Sequence, residues 1–373
     1  MAARIRYSPP VNEGRKGSAI EIPEGHRGAR VVVTGANGFI ATETIVQLLA
    51  AGYRVRGTVR DPSDARKTEH LRRAAESVGA AERLELVAAD LMDARSFERA
   101  FEGARFVFHM AATVALTAKD PQRDIVDPAV RGTQNAFAAA RAVGGIEAII
   151  MTSSIAAVVD ENLPKDVLFD ESNWNQSATV DDQPYPLAKV QSERAAWQAI
   201  SDWPEATRPR LATINPVLVL GPLRTRMHVR TSPDVIRALL RGDFPGVPDL
   251  HFGVVDVRDV AEAHLRALGN PSATGRFILH NRGMHAREIV ELLRKRYPGA
   301  KLPRFPLPHA LMYVAAIFDA RLSWSFLRRN LGNVRKIDNR RVREELGLDL
   351  IGAEQSVLDT ARSLYDLDLV AKR

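Results

Sequence analysis

The chain has no cysteine among its 373 residues. Disulfides, thiolate metal sites and a cysteine nucleophile are therefore excluded, no metal is implied for a site, and a cytoplasmic location suits the composition. Long apolar runs are missing too. The best candidate, Ala310 to Phe318, falls far short of the ~20 residues a bilayer-crossing helix needs, so no membrane span is expected. It reads instead as a buried helix, or as a wall of a dimer contact or a substrate cleft. No secretory signal is visible: the first 28 residues carry Pro9, Pro10, Gly14, Gly17, Pro23 and Gly25 with scattered charge, and read as an N-terminal extension that is loose or wrapped on the surface. Internal repeats and low-complexity tracts are absent.

Nor does any segment interleave basic residues with aromatics. The net charge of +7 comes from 52 Lys and Arg against 45 Asp and Glu, and acidic residues accompany most of the basic ones. A solvated, mildly basic surface is the expectation, not a nucleic-acid interface. The densest basic run, Arg328 to Arg343, reads as a charged helix face. With 45% hydrophobic and 26% charged residues, the chain is globular and long enough for one large or two modest domains.

What is present is organised around Ala29 to Gly52, ARVVVTGANGFIATETIVQLLAAG. Val31, Val32 and Val33 form a β-branched run that stops at Thr34-Gly35, the pattern of a buried parallel strand ending in a tight turn. Ile40, Ile45, Val46, Leu48 and Leu49 then keep to one side of a helical period until Gly52, which suits a helix C′ position. Between strand and helix, Gly35 lets the chain turn sharply. Gly38 leaves room for a pyrophosphate to approach the helix N-terminus, and Ala41 lets helix and strand pack closely. The spacing Gly35-x-x-Gly38-x-x-Ala41 differs from the common G-x-G-x-x-G fingerprint. Its flanking strand and helix raise it above an ordinary glycine turn.

Beyond Gly52 strands and helices alternate. Strands are expected at Tyr53 to Val59, Leu84 to Ala88, Phe106 to Met110, Ala148 to Thr152 and Leu211 to Ile214, and helices at Arg66 to Val78, Ala94 to Phe101 and Ala129 to Val143. This succession predicts an α/β, Rossmann-type doubly wound parallel sheet in the order 3-2-1-4-5-6, with a cofactor across the carboxyl ends of the strands. After Pro216 the alternation loosens, and prolines cluster from Pro298 to Pro308. We expect a dinucleotide-binding domain over residues 29–216, with a return at about 253–268. A smaller, mostly helical, discontinuous substrate-binding lobe is expected over 217–373.

Tyr185-Pro-Leu-Ala-Lys189 opens a helix in which positions i and i+4 share a face, so a phenol and an ammonium can point into one cleft. A nearby ammonium favours phenolate and makes a phenol a usable proton donor to a developing alkoxide. Ser153 and Ser154 end the fifth strand, where ligands bind in open parallel sheets, and a hydroxyl there can hydrogen-bond a carbonyl oxygen. Alone, each feature also fits a surface pair or a turn cap. Together with the glycine turn they point to one site.

Seven stretches arrive in order: VTGANGFIA (Val33 to Ala41), TVRDP (Thr58 to Pro62), ADLMD (Ala89 to Asp93), FHMAA (Phe108 to Ala112), TSSIAAV (Thr152 to Val158), YPLAK (Tyr185 to Lys189) and NPVLVLGP (Asn215 to Pro222). With them the chain resembles the extended short-chain dehydrogenases/reductases, in particular the branch of dihydroflavonol 4-reductase, cinnamoyl-CoA reductase and bacterial aldehyde reductases. The resemblance implies a catalytic triad of Ser154, Tyr185 and Lys189. The nicotinamide would deliver hydride to a carbonyl carbon, Tyr185 a proton to its oxygen, and Ser154 would hold that oxygen while Lys189 binds the ribose. It also implies cofactor contacts at Gly35, Asn37, Gly38, Phe39 and Ile40, with Asp90 and Leu91 along the adenine. Ala111, Ala112 and Thr113 would stand beside the ribose, and Pro216, Val217 and Leu218 would wall the nicotinamide. Two departures are visible: Val217 stands where plant members often carry Thr, and Ala129 precedes Gly132-Thr133 where many extended members carry Asn.

The expected cofactor is NADP(H). Enzymes selective for NADH place a carboxylate at the end of the second strand, where it repels a 2′-phosphate. Here that place falls to Val59, followed by Arg60, whose planar fork suits phosphate oxygens. Lys67 resembles a second phosphate-binding lysine of the branch, and Asp61 reads as a turn residue before Pro62. The expected partner is a small carbonyl substrate, hydrophobic or aromatic, taken by a monomer or homodimer. Phe305, Leu307, Leu311, Met312, Val314 and Phe318 would offer an apolar helix face to the cleft, or equally to their own lobe or a second subunit. Three alternatives stay open: a hydroxysteroid dehydrogenase, a sugar-nucleotide epimerase or dehydratase, and a non-catalytic NADP-sensing protein. Thr152-Ser153-Ser154 differs from the Thr-Asp-Glu of the dehydratases, and sensing proteins usually lose the Tyr or the Lys.

Overall fold

The computed structural model describes Pro23 and residues 25–113, 117–230, 232–315 and 323–371. The first half runs β1 (Arg30–Val33), α1 (Phe39–Ala50), β2 (Arg54–Val59), α2 (Ala65–Ser77), β3 (Leu84–Ala88), α3 (Ala94–Phe101), β4 (Phe106–His109), α4 (Asp127–Val143) and β5 (Ala148–Thr152). Then come β6 (Leu168–Phe169), α5 (Pro184–Ser201), β7 (Arg210–Pro216), β8 (Leu218–Leu220), α6 (Asp234–Arg241), β9 (His251–Asp256), α7 (Val257–Gly269), β10 (Gly275–Leu279) and β11 (Arg282–His285). The chain ends with α8 (Ala286–Arg296), α9 (His309–Ala315), α10 (Trp324–Asn330), β12 (Lys336–Ile337), α11 (Arg340–Glu344) and α12 (Ala353–Asp366). Local chemistry sets several starts. Asp64, Asp93 and Asp256 each accept a hydrogen bond from the backbone N–H two residues on, capping α2, α3 and α7. Proline opens α4 and α5, where its missing N–H costs nothing.

Seven strands form one parallel sheet in the order β3-β2-β1-β4-β5-β7-β10. Its first six members follow the order expected from sequence, Arg210–Pro216 being the sixth. The seventh, β10, is an addition: Arg276 interrupts its apolar run, so periodicity alone does not mark it. Side chains alternate between two cores, as a pleated strand requires. Val31, Val33, Phe106, Phe108 and Ile150 pack beneath Ile45 and Leu48 of α1 and Val260 of α7. Val32, Val107, Ile149 and Met151 face Phe97, Phe101 and Phe137 of α3 and α4.

The segment 253–268 divides. Helix α7 packs on α1 against the large sheet, whereas β9 belongs to a separate three-stranded sheet, β11-β9-β8. That small sheet and α6, α8 and α12 enclose a second core around Leu239, Met284, Ile289 and Val357. Among the described residues no helix is long and apolar enough to cross a membrane.

Candidate functional site

A cavity of about 730 Å³ runs along the carboxyl ends of the large sheet. It opens beside β1 and β4, where the strand order reverses and parallel sheets bind ligands. Every catalytic and cofactor-binding candidate named from sequence lines it except Leu218. Leu218 packs toward the second core, and its neighbours Val217 and Val219 face the cavity instead. Alternation along an extended chain requires this, since adjacent side chains point to opposite sides.

The glycine turn is built for close approach. Gly35 has φ +66°, and a Cβ added there would stand 2.8 Å from Ala111 Cα. Thr34 binds the two loops together: its Oγ1 accepts from Met110 N and Ala111 N, each at 3.0 Å. Gly38 occupies the cap position of α1 without a side-chain cap, and the first turn of α1 has no acidic residue. The helix start therefore offers uncapped N–H groups and a positive dipole end to an anion. At the end of β2, buried Val59 is followed by exposed Arg60. Asp61 Oδ1 accepts from Ser63 N at 2.9 Å and from Ser63 Oγ at 2.6 Å, the geometry of a turn. These bonds also hold its carboxyl below the usual range. Lys67 Nζ lies 3.2 Å from Asp64 Oδ2.

The two serines differ. Ser153 is buried and its Oγ donates to Glu193 Oε2 at 2.5 Å, so its hydroxyl is committed. Among the described residues Ser154 Oγ has one bond, accepted from Ala156 N at 3.2 Å, which leaves its own O–H available. Tyr185 and Lys189 share one side of α5, with Lys189 Nζ 5.7 Å from the Tyr185 ring centroid. His109, at the end of β4, is pushed down to about 4, by burial first and then by the Lys189 ammonium.

Glu193, one further turn along α5, is the residue that sequence reasoning missed. Fully buried, it accepts from Arg276 Nε at 2.6 Å, Asn215 Nδ2 at 2.8 Å and Thr213 Oγ1 at 3.1 Å, besides Ser153. Asn215 Nδ2 also donates to Ser154 O at 3.2 Å. The Tyr185 helix is thus joined to β5, β7 and β10 by one carboxylate. Its place four residues beyond Lys189 was a signal available in the sequence; its partner Arg276 was not. Phe97, Pro128 and Ser232 also line the cavity without a motif to mark them, and Met92 and Met110 line it from within the ADLMD and FHMAA stretches.

Of the readings open for the apolar segment after Pro303, packing on its own lobe fits and the cleft wall does not. None of Phe305, Leu307, Leu311, Met312 and Val314 lines the cavity, and Phe318 lies outside the described residues. Met312 packs with Leu250, Leu327 and Leu331, while Phe305, Leu311 and Val314 are 74%, 53% and 51% exposed. The basic run Arg328 to Arg343 is largely committed internally. Arg329 pairs with Asp182 at 2.6 Å and Glu161 at 3.1 Å, Arg340 with Asp338 at 2.8 Å, and Arg341 with Glu345 at 2.6 Å.

A family profile described as "NAD dependent epimerase/dehydratase family" matches residues 31–279. The chain is 38% identical to cinnamoyl-CoA reductase CAD2 of Medicago truncatula over 278 residues, 73% of this chain and 82% of that protein. It is 35% identical to cinnamoyl-CoA reductase 1 of Arabidopsis thaliana over 346 residues, 91% of this chain and 90% of that one. Among solved structures, yeast methylglyoxal/isovaleraldehyde reductase Gre2 complexed with NADPH is similar with a TM-score of 0.75 at 26% identity, covering 92% of this chain and 100% of that chain.

Proposed function

The chain belongs to the NAD dependent epimerase/dehydratase family, within the extended short-chain dehydrogenases/reductases, and from that premise we propose that it reduces a hydrophobic or aromatic aldehyde or ketone to the alcohol with NADPH, Tyr185 being the proton donor. The observation that carries this reading is the convergence of Ser154, Tyr185 and Lys189 on one cavity with the Gly35–Gly38 turn. NADPH supplies the hydride when bound. The uncapped start of α1 would hold its pyrophosphate, and Arg60 and Lys67 its 2′-phosphate, with no carboxylate at Val59 to oppose them. Ser154 donates a hydrogen bond to the carbonyl oxygen, and Tyr185 passes its proton to that oxygen as negative charge develops there. Lys189, on the same side of α5, favours the phenolate that remains.

In this reading residues 29–216, joined by α7 and β10, form the cofactor half, and the rest of 217–373 shapes the substrate end. Relatives and structural neighbours that are named reductases support the reaction class. The test is NADPH consumption by the purified protein against aromatic and aliphatic aldehydes, ketones, acyl-CoA thioesters and a sugar nucleotide. Turnover of apolar carbonyls with NADPH is the expected result. Turnover of the sugar nucleotide alone, or of none of the panel, would overturn the proposal.

A further inference from the structure

The β9–β11 ribbon carries a cluster of imidazoles that carbonyl reduction does not use. His251 and His285 are directly opposite partners in the antiparallel pair. Their side chains therefore leave the ribbon on one face, and their rings meet edge to face at 4.6 Å. Asp249, two residues before His251, falls on the same face by alternation. One ligand atom from each of Asp249, His251 and His285 lies within 4.8 Å of the other two. A third imidazole arrives from the first turn of α9: Asp249 Oδ1 accepts from His285 Nε2 at 2.8 Å, and its Oδ2 from His309 Nε2 at 2.9 Å. The His251 ring makes no hydrogen bond to another described residue.

We propose that this cluster is a site for a divalent transition-metal ion of the zinc class, held by Asp249, His251 and His285, with His309, which stands outside that 4.8 Å grouping on the far oxygen of Asp249, closing in as the fourth ligand. Imidazole and carboxylate together suit zinc or nickel, whereas magnesium and calcium take oxygen ligands. Coordination has one definite cost. His285 Nδ1 accepts from Arg287 N at 3.0 Å, so the ring proton sits on Nε2 and faces Asp249. Binding through Nε2 moves that proton to Nδ1 and gives up the α8 cap, a loss far smaller than the free energy of a structural zinc site. The ion would tie α9 to the β9–β11 ribbon. None of the four residues lines the cavity, so its role is to hold this part of the fold and not to take part in reduction.

The experiment is a calorimetric titration of Zn²⁺ into the full-length, tag-free protein, repeated against a competing chromogenic chelator, with Mg²⁺ as the control. One saturable Zn²⁺ equivalent and a rise in Tm are expected, with no response to Mg²⁺. All nine histidines and no cysteine belong to this chain, so single variants identify the site. His251→Phe keeps the ring contact but removes both ligand nitrogens, and should weaken Zn²⁺ at least ~10-fold while metal-free reductase activity is unchanged. Asp249→Asn, which still accepts a hydrogen bond, should weaken it similarly. Absence of saturable binding, or wild-type affinity in both variants, would overturn the proposal.

Discussion

A phenol can give up one proton, and Tyr185→Phe removes it while leaving the ring in place. We expect kcat to fall by ~10²–10⁴-fold with NADPH affinity nearly intact, which single-turnover rates and cofactor titration measure. A near wild-type kcat would sink the assignment. The serines separate for a structural reason. Ser154→Ala should lose kcat, whereas Ser153→Ala should lose less and instead cost roughly 1–3 kcal/mol of stability, because its hydroxyl is bound to the buried Glu193 carboxylate. Arg60→Ala belongs to the same scale. Charge-assisted bonds to phosphate are worth ~1.5–3 kcal/mol, so NADPH affinity should drop about one to two orders of magnitude while NADH use barely changes. Comparing kcat/KM for both cofactors in both proteins decides it: equal losses, or a wild type preferring NADH, refute the phosphate role. Tyr185, Lys189 and the glycine turn were legible because their spacing is local. Glu193 was visible only as another helical residue, since the groups that give it meaning come from Ser153, Thr213, Asn215 and Arg276.

At the scale of elements, alternation of short apolar strands with amphipathic helices was enough to order β1 to β5 and β7. It failed where an element depends on a distant partner. Strand β10 holds Arg276 among apolar neighbours, a pattern that reads as loop until the buried Glu193 across the sheet satisfies it. The same dependence gives a prediction. The side chains of Arg276 and Glu193 are 7% and 0% exposed, so Arg276→Met leaves a buried carboxylate without its cation. Breaking a buried pair from one side costs about 3–5 kcal/mol. Urea unfolding should show that loss, and a change within experimental error would mean that the remaining donors to Glu193 suffice. The segment from Phe305 to Val314 left the cleft, its own lobe and a second subunit equally open for the opposite reason. Its apolar residues are real, but only Met312 is buried, against α10 and Leu250, and composition cannot say which apolar surface a short helix meets.

Across the whole molecule, the elements around the glycine turn are joined by neutral histidines, His228 buried and His70 half-buried. Thr42 Oγ1, in the first turns of α1, lies 3.3 Å from His70 Nε2 of α2 and 3.4 Å from His228 Nε2 in the connection from β8 to α6. It also donates to Ala36 O at 3.2 Å, so both rings approach it as N–H donors. Beside them Arg224 and Glu43 form a buried pair at 2.6 Å. Burial is the first cause that pushes His70 down to about 4 and His228 to about 3, and it likewise takes His109, His264 and His280 to about 4. Unfolded, each would titrate near its ordinary 6.5, so between that value and the folded one the unfolded chain binds more protons. Their contribution is therefore complete above about pH 6.5 and is lost as pH falls toward about 4, at a limiting rate of ~1.4 kcal/mol per pH unit for each histidine. The lowered carboxylates act only at still lower pH. Glu171, raised by burial, works the other way but is one group against these five and the likewise lowered His26 and His251. We expect the urea midpoint to hold steady from about pH 8 to pH 7 and to fall steeply toward about pH 5. His228→Phe, which keeps a ring against Phe39 but cannot take a proton, should flatten that fall by about one histidine's share. A midpoint unchanged toward pH 5, or a variant as acid-sensitive as the wild type, would show that these rings do not link the glycine turn to the rest of the fold in this way.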